Sequence, residues 1–125
     1  MSRNGQGRQV QSIAIDVERL TLCDTVVHVA GDVVGDAAAV LQQTLTAQLL
    51  GEPIRLVVNL SAVVLLDAVG IDALISVAAT AGEVDYAFCL VDGHEGRVQA
   101  ALAAEQATDL FEIFSSVPEA VRNSV

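Results

Sequence analysis

The side chains able to carry proton transfer, nucleophilic attack or metal binding are few in this sequence and scattered along it. His28 falls in a strand-like apolar stretch and His94 beside Asp92-Gly93, which reads as a turn. Neither belongs to a motif that would pair it with a nucleophile, so neither is expected to serve as a general base. Cys23 and Cys89 are far apart and fit no zinc or Cys-x-x-Cys spacing. In a reducing compartment they read as separate thiols: Cys89 within the core, Cys23 more exposed beside a turn, with no adjacent basic residue to activate it. Asp32 and Asp36 have no third ligand nearby and make a poor cation site. No Gly-rich phosphate loop, Gly-x-Ser-x-Gly elbow, His-Glu-x-x-His pair or kinase signature is present. The residue types therefore predict a protein that is not an enzyme and uses neither cofactor nor metal.

One segment stands apart. Asp67-Ala68-Val69-Gly70 lies where an apolar strand gives way to a helical pattern, and in open α/β sheets such junctions are where ligands and partners bind. The first amides of a helix lack internal acceptors and carry the positive end of its dipole. Asp67 suits the N-cap, which would satisfy some of those amides. A hydroxyl at the position of Ala68 would be presented to solvent, and a phosphate on it would be partly neutralised by the helix end; the chain has alanine there. Ser61 and Ser76 are other hydroxyls in this part of the chain, but Ser61 is expected to follow the strand and Ser76 to lie inside the helix. Val69 and Ile71, if exposed at the helix start, would form the apolar anchor of a protein interface, rimmed by Asp67 and Asp72.

The elements that must position this segment follow from hydrophobic period and turn chemistry. Residues 13–17 alternate apolar and polar, and residues 25–30 form a second apolar run ended by Gly31 and Asp32. The short link between them predicts an antiparallel hairpin. Asp36 reads as the N-cap of a helix that turns Ala37, Val40, Leu41, Leu45 and Leu49 inward and stops at Gly51, before Pro53. Residues 54–60 are almost wholly apolar and rich in valine, as befits a central strand buried on both faces. Ile71, Leu74, Ile75 and Ala78 then follow helical spacing up to Gly82. Residues 86–91 form a further strand, and a third helix follows with Val98, Ala101 and Leu102 inward. Residues 112–115 form a short strand, and Ser116-Val117-Pro118-Glu119 spells a capping box for a last helix over residues 117–123. The fold class is α/β: a mixed sheet in the order β-β-α-β-α-β-α-β-α, with helices packed on it through right-handed crossovers.

Composition agrees. The chain has 125 residues, close to the usual size of one domain, and only three Phe and one Tyr, so Val, Ile, Leu and Ala must build the core. The first nine residues read as a polar tail and residues 10–125 as a single domain. A formal net charge of -10 repels phosphate backbones and anionic lipid headgroups, excluding nucleic acid and membrane surface as partners. Apolar runs are broken by charge too soon to span a bilayer, and no secretory signal opens the sequence, so a cytoplasmic protein is expected.

The ordered set Ala30-Gly31-Asp32, Leu56-Val57-Val58-Asn59-Leu60, Leu66-Asp67-Ala68-Val69-Gly70-Ile71, Phe111-Glu112-Ile113-Phe114 and Pro118-Glu119-Ala120-Val121 resembles the STAS family, the domain shared by sulfate transporters and anti-sigma factor antagonists. The resemblance implies a bacterial regulator of transcription that binds a kinase-like anti-sigma factor and frees a sigma factor. In that family the Asp is followed by Ser-Ser-Gly or Ser-Thr-Gly, and the kinase phosphorylates the first of these hydroxyl residues. Here Ala68 stands there, followed by Val69, and Val34 stands where the family usually carries Asp. The resemblance thus implies a partner-binding surface of Asp32, Val34, Asp36, Asp67, Ala68, Val69, Gly70 and Ile71, without phosphorylation at Ala68. Alternatives are a STAS regulatory subunit of a membrane transporter of the lipid-transport ABC type, and a small-molecule sensor. A homodimer is also compatible with the sequence.

Overall fold

The computed structural model describes residues 13–21, 23–51, 55–93 and 95–123. The expected tail over residues 1–9, Pro53, Ile54 and His94 lie outside them. Five strands form one sheet in the order β1-β2-β3-β4-β5: β1 (Ile13–Arg19), β2 (Asp24–Val33), β3 (Arg55–Leu66), β4 (Ala87–Val91) and β5 (Glu112–Phe114). β1 runs antiparallel to β2, with Ile13 opposite Gly31 and Arg19 opposite Thr25. The pairs from β2 to β5 are all parallel. The helices are α1 (Asp36–Leu50), α2 (Ala68–Glu83), α3 (Arg97–Ala104) and α4 (Val117–Asn123), with a 3-10 turn at Thr108–Leu110 that the sequence pattern had not shown.

Three crossovers that step the same way across a parallel sheet, each right-handed, must lay their helices on the same face. The main core shows this: Leu41 and Leu45 of α1, Ile71 and Leu74 of α2, and Val98 and Leu102 of α3 meet Val27, Val29, Leu56, Val58, Leu60 and Leu90 of the sheet. Each of these large side chains contributes roughly 1.5–3 kcal/mol by leaving water. On the opposite face Val26, Val57, Cys89 and Val91 pack against Ala120 of α4, with Phe114, Val117 and Val121 around them. That helix lies over β3, β4 and β5, and among the described residues no helix covers this face of the β1 to β3 half.

The elements fall where the hydrophobic pattern placed them, with local corrections. β2 continues through Gly31 and Asp32 to Val33. Asp36 lies in the first turn of α1, and the N-cap is Gly35, at φ 54°. A backbone in that left-handed region favours glycine over any residue with a Cβ. The inward stripe of α1 is Ala38, Leu41, Leu45 and Leu49, whereas Val40 is 49% exposed; one step along a helix turns a side chain about 100° away. α2 runs one residue past Gly82, to Glu83. Cys89 is buried and Cys23 exposed, and no disulfide joins them.

Two polar devices close the fold. Arg55 donates to Asp24 at 2.8 Å and to the Val121 carbonyl at 2.9 Å, joining the start of β3, the start of β2 and the end of α4. At α4 the Ser116 hydroxyl accepts from the Glu119 amide, and Glu119 Oε1 accepts from the Ser115 amide at 2.9 Å. The reciprocal capping bond therefore reaches one residue further back than a standard box. Hydrogen bonds from the Ser115 amide and then from its hydroxyl hold the Glu119 carboxyl below the ordinary carboxylate range, with Arg122 adding a smaller pull.

Candidate functional site

β3 is the longest strand, and its last residues carry the site. β4 ends at Val91, opposite Asn59, so beyond that level β3 pairs with β2 alone. Along this stretch β3 has more residues than its partner. His28 faces Asn59 and Ala30 faces Ala62, leaving two residues of β3 against one of β2; Gly31 faces Val63 and Asp32 faces Leu65, which leaves Val64 extra. These are β-bulges, and each inserted residue reverses the phase of in and out. The burial pattern records both reversals: Ser61 and Ala62 are exposed side by side, Val63 is buried, and Val64 and Leu65 are exposed side by side. Ser61 thus lies within the strand, not after it.

Asp67 ends the strand and caps α2. Its backbone is extended, at φ -94° and ψ -178°, and its Oδ1 accepts from the Gly70 amide at 2.9 Å. Its Oδ2 accepts from the Gly35 amide at 3.2 Å, and its own amide donates to the Val33 carbonyl at 3.3 Å. One carboxylate therefore fastens the turn before α1 to the start of α2. This brings Asp32, Val34 and Asp36 into one rim with Asp67, Ala68 and Val69. Asp67 takes the N-cap position that its place before the helical pattern predicts, and so occupies part of the helix end with negative charge.

Within the rim, Val69 is 52% exposed, and Ala68, Asp36 and Asp72 are exposed. Asp32, Val34 and Asp67 are half-buried. Gly70 is buried, and a Cβ there would lie 2.7 Å from the Val33 carbonyl oxygen; the helix can start this close to β2 only with glycine. Ile71 is 2% exposed. The expectation that it would face outward with Val69 is not met, because it points into the core between α2 and the sheet. The apolar surface the sequence reading missed is Val64 and Leu65, 51% and 54% exposed, with Leu65 opposite Asp32 in the register. The unbroken run Ala62-Val63-Val64-Leu65-Leu66 was the available signal, but its phase is set by the bulges.

The remaining candidates are dispersed. Ser76 is exposed on α2, away from its N-terminus. Among the described residues no group of three His, Cys, Asp or Glu could hold a metal ion, and no described helix is long and apolar enough to cross a membrane. Asp92 is 5% exposed but satisfied, its carboxylate accepting from the Val98 and Gln99 amides at the start of α3. The site has an acidic rim, an apolar centre and a rigid carboxylate clasp. That arrangement suits a protein surface bearing basic and apolar groups.

A family model for the STAS domain matches residues 13–120. Among solved structures, an anti-sigma factor antagonist from Mycobacterium paratuberculosis is 25% identical, with a TM-score of 0.81 over 90% of this chain and 94% of that one. The phosphorylated form of the Bacillus cell fate determinant SpoIIAA shares the fold at 14% identity, with a TM-score of 0.66 over 87% of this chain and 97% of that one. The murine anion transporter Slc26a9 shares it at 18% identity and a TM-score of 0.68; the match covers 85% of this chain but 18% of the transporter. A search of curated proteins gives no significant match.

Proposed function

The chain belongs to the STAS domain family, and from that premise we propose that it acts as an anti-sigma factor antagonist: a protein of the cytoplasm that works by binding, not catalysis, and frees a sigma factor by occupying its anti-sigma factor. Asp32, Val34, Asp36, Asp67, Ala68 and Val69 form the docking surface, and Gly70 and Ile71 seat it from beneath. The observation that carries this reading is the Asp67 clasp on Gly35 and Gly70, which makes two separate loops into one preformed rim. Similarity to the mycobacterial antagonist supports the choice of partner. Ala68 stands at the position of the family's phosphoacceptor, so binding is not switched off by phosphate there.

The test is capture of a matched anti-sigma factor by the full chain. Binding should weaken with salt, because exposed charges are screened within about 8 Å at physiological ionic strength, and should fall at least tenfold in Asp67→Lys. Binding insensitive to both would refute the surface. Incubation with the anti-sigma kinase and ATP should leave residues 67–71 unmodified.

A second reading, as the STAS subunit of a membrane transporter, draws support from the likeness in fold to a part of the mouse anion transporter. Co-purification with a permease in place of a kinase-like protein would favour it.

A further inference from the structure

The open half of the sheet, opposite the face that α1 to α3 cover, carries a polar chain across three strands. Glu18 of β1 meets His28 Nε2 of β2 at 2.8 Å. His28 Nδ1 meets Asn59 Nδ2 of β3 at 3.0 Å. Asn59 Oδ1 in turn accepts from the Ser61 hydroxyl at 2.7 Å and from the Ser61 amide at 3.1 Å. Ser61 is one of the two residues in the first bulge. A bulge takes a residue out of the regular ladder, and Asn59 supplies the acceptor that holds this one.

The chain has a single consistent set of protons. The Ser61 amide can only donate, so Asn59 must present its oxygen to Ser61 and its NH2 to His28. His28 Nδ1 must then accept, and the ring proton sits on Nε2, donating to Glu18. A second proton, taken from solvent at Nδ1, would face the two donors of the Asn59 amide. The contact is recovered only if that amide turns over, giving oxygen to His28 and NH2 to Ser61. The Ser61 hydroxyl can rotate to accept, but the Ser61 amide loses its acceptor. The titratable groups facing the ring are Glu18 and, directly opposite in the register, Asp16; β3 presents the neutral Asn59 and Ser61.

We propose that Glu18, His28 and Asn59 form a proton-sensitive latch on the β3 bulge, which sets the direction of residues 61–67 while His28 is neutral and releases it when His28 is protonated. These are positioning residues; the site they position is the docking rim proposed above, and the regulatory meaning of the latch rests on that reading. The latch would respond to acidification in a protein that has alanine at the usual switch position.

The test is NMR of the full chain across pH 5 to 8, with no partner present, so that it stands or falls independently of the docking reading. As the His28 ring protonates, the Ser61 amide should lose about three- to tenfold of its protection against exchange, the loss of one hydrogen bond. The amides of residues 67–70 should shift with the same midpoint. In His28→Asn, whose side-chain oxygen can take the place of Nδ1, both responses should vanish. In Glu18→Gln, which can still accept from Nε2, both should persist. A Ser61 amide indifferent to His28 protonation would overturn the latch, as would a response lost in Glu18→Gln, which would assign it to the Glu18 carboxyl. A Ser61 response with still amides at 67–70 would overturn its connection to the rim.

Discussion

Replacing Gly70 with alanine tests whether the rim depends on close approach of the α2 start to β2. A Cβ at this position would stand 2.7 Å from the Val33 carbonyl oxygen, 2.7 Å from Leu66 Cδ1 and 3.0 Å from Val33 Cγ1, against the 3.4 Å at which ordinary contact begins. The leucine methyl can rotate away. The carbonyl cannot, because it belongs to a paired strand and accepts from the Asp67 amide. The helix start must retreat by about 0.7 Å, judged from those contacts, and overpacking of this kind costs about 1–3 kcal/mol. Alanine recovers up to ~1 kcal/mol of helix propensity, but the immovable carbonyl puts the clash at the upper end, so the net loss should be about 2 kcal/mol. For a chain of this size that lowers Tm by roughly 6–10 °C. Gly82, also in α2, has nothing within 4 Å of its would-be Cβ, and Gly82→Ala should stabilise by about 0.5–1 kcal/mol. Urea unfolding followed by circular dichroism measures both, with the slope unchanged and the midpoints moved in opposite directions. A Gly70→Ala midpoint at or above that of the parent chain would refute the close-approach argument.

Asp67→Ala removes an acceptor from both Gly70 and Gly35 and should cost about 1–2 kcal/mol in the same unfolding assay; Asp67→Asn, whose single side-chain oxygen serves one amide better than two, should fall between. Arg55→Met leaves Asp24 largely enclosed, both side chains being 12% exposed, and should lower stability by about 3 kcal/mol, with part recovered when Asp24→Asn is added. Glu119 has a depressed folded-state value, so its contribution is present above the ordinary carboxylate range and is lost as pH falls through that lower value. The Tm difference between the parent chain and Glu119→Gln should accordingly shrink toward acid; a difference that grows there would reverse the assignment.

The order of elements was legible because each is announced by a strong local signal. The almost wholly apolar, valine-rich run ending at Leu60 reads as an interior strand, and β3 is indeed flanked on both sides. The Asp67 cap was legible for the same reason, since an aspartate before a helical period has one favourable use and the Gly70 amide takes it. What one segment does to another was not legible. The second bond of Asp67, to Gly35, joins residues thirty-two apart, and no local pattern announces it. Asp36 lost the N-cap position to Gly35 because a positive φ at that turn decided the matter, whereas the sequence rule looks only for a side-chain oxygen.

Ile71 and the pair Val64 and Leu65 share one explanation. The sequence offers Ile71 two places, in the apolar stripe of the helix with Leu74 and Ile75 or, if exposed, at the surface beside Val69. In the folded chain the helix begins so close to β2 that its third and fourth residues, Gly70 and Ile71, are already inside. The exposed apolar area is supplied by β3, where the extra residue Val64 turns it and Leu65 outward together. Composition cannot foretell a bulge, because the inserted residue is recognised only against the partner strand. The polar chain from Glu18 to Ser61 marks the first of the two bulges, since an amide displaced from the ladder needs an acceptor and Asn59 is placed two residues before Ser61 to provide one. A docking surface aimed by such a joint is sensitive to the groups that hold the joint, even though none of them reaches the partner.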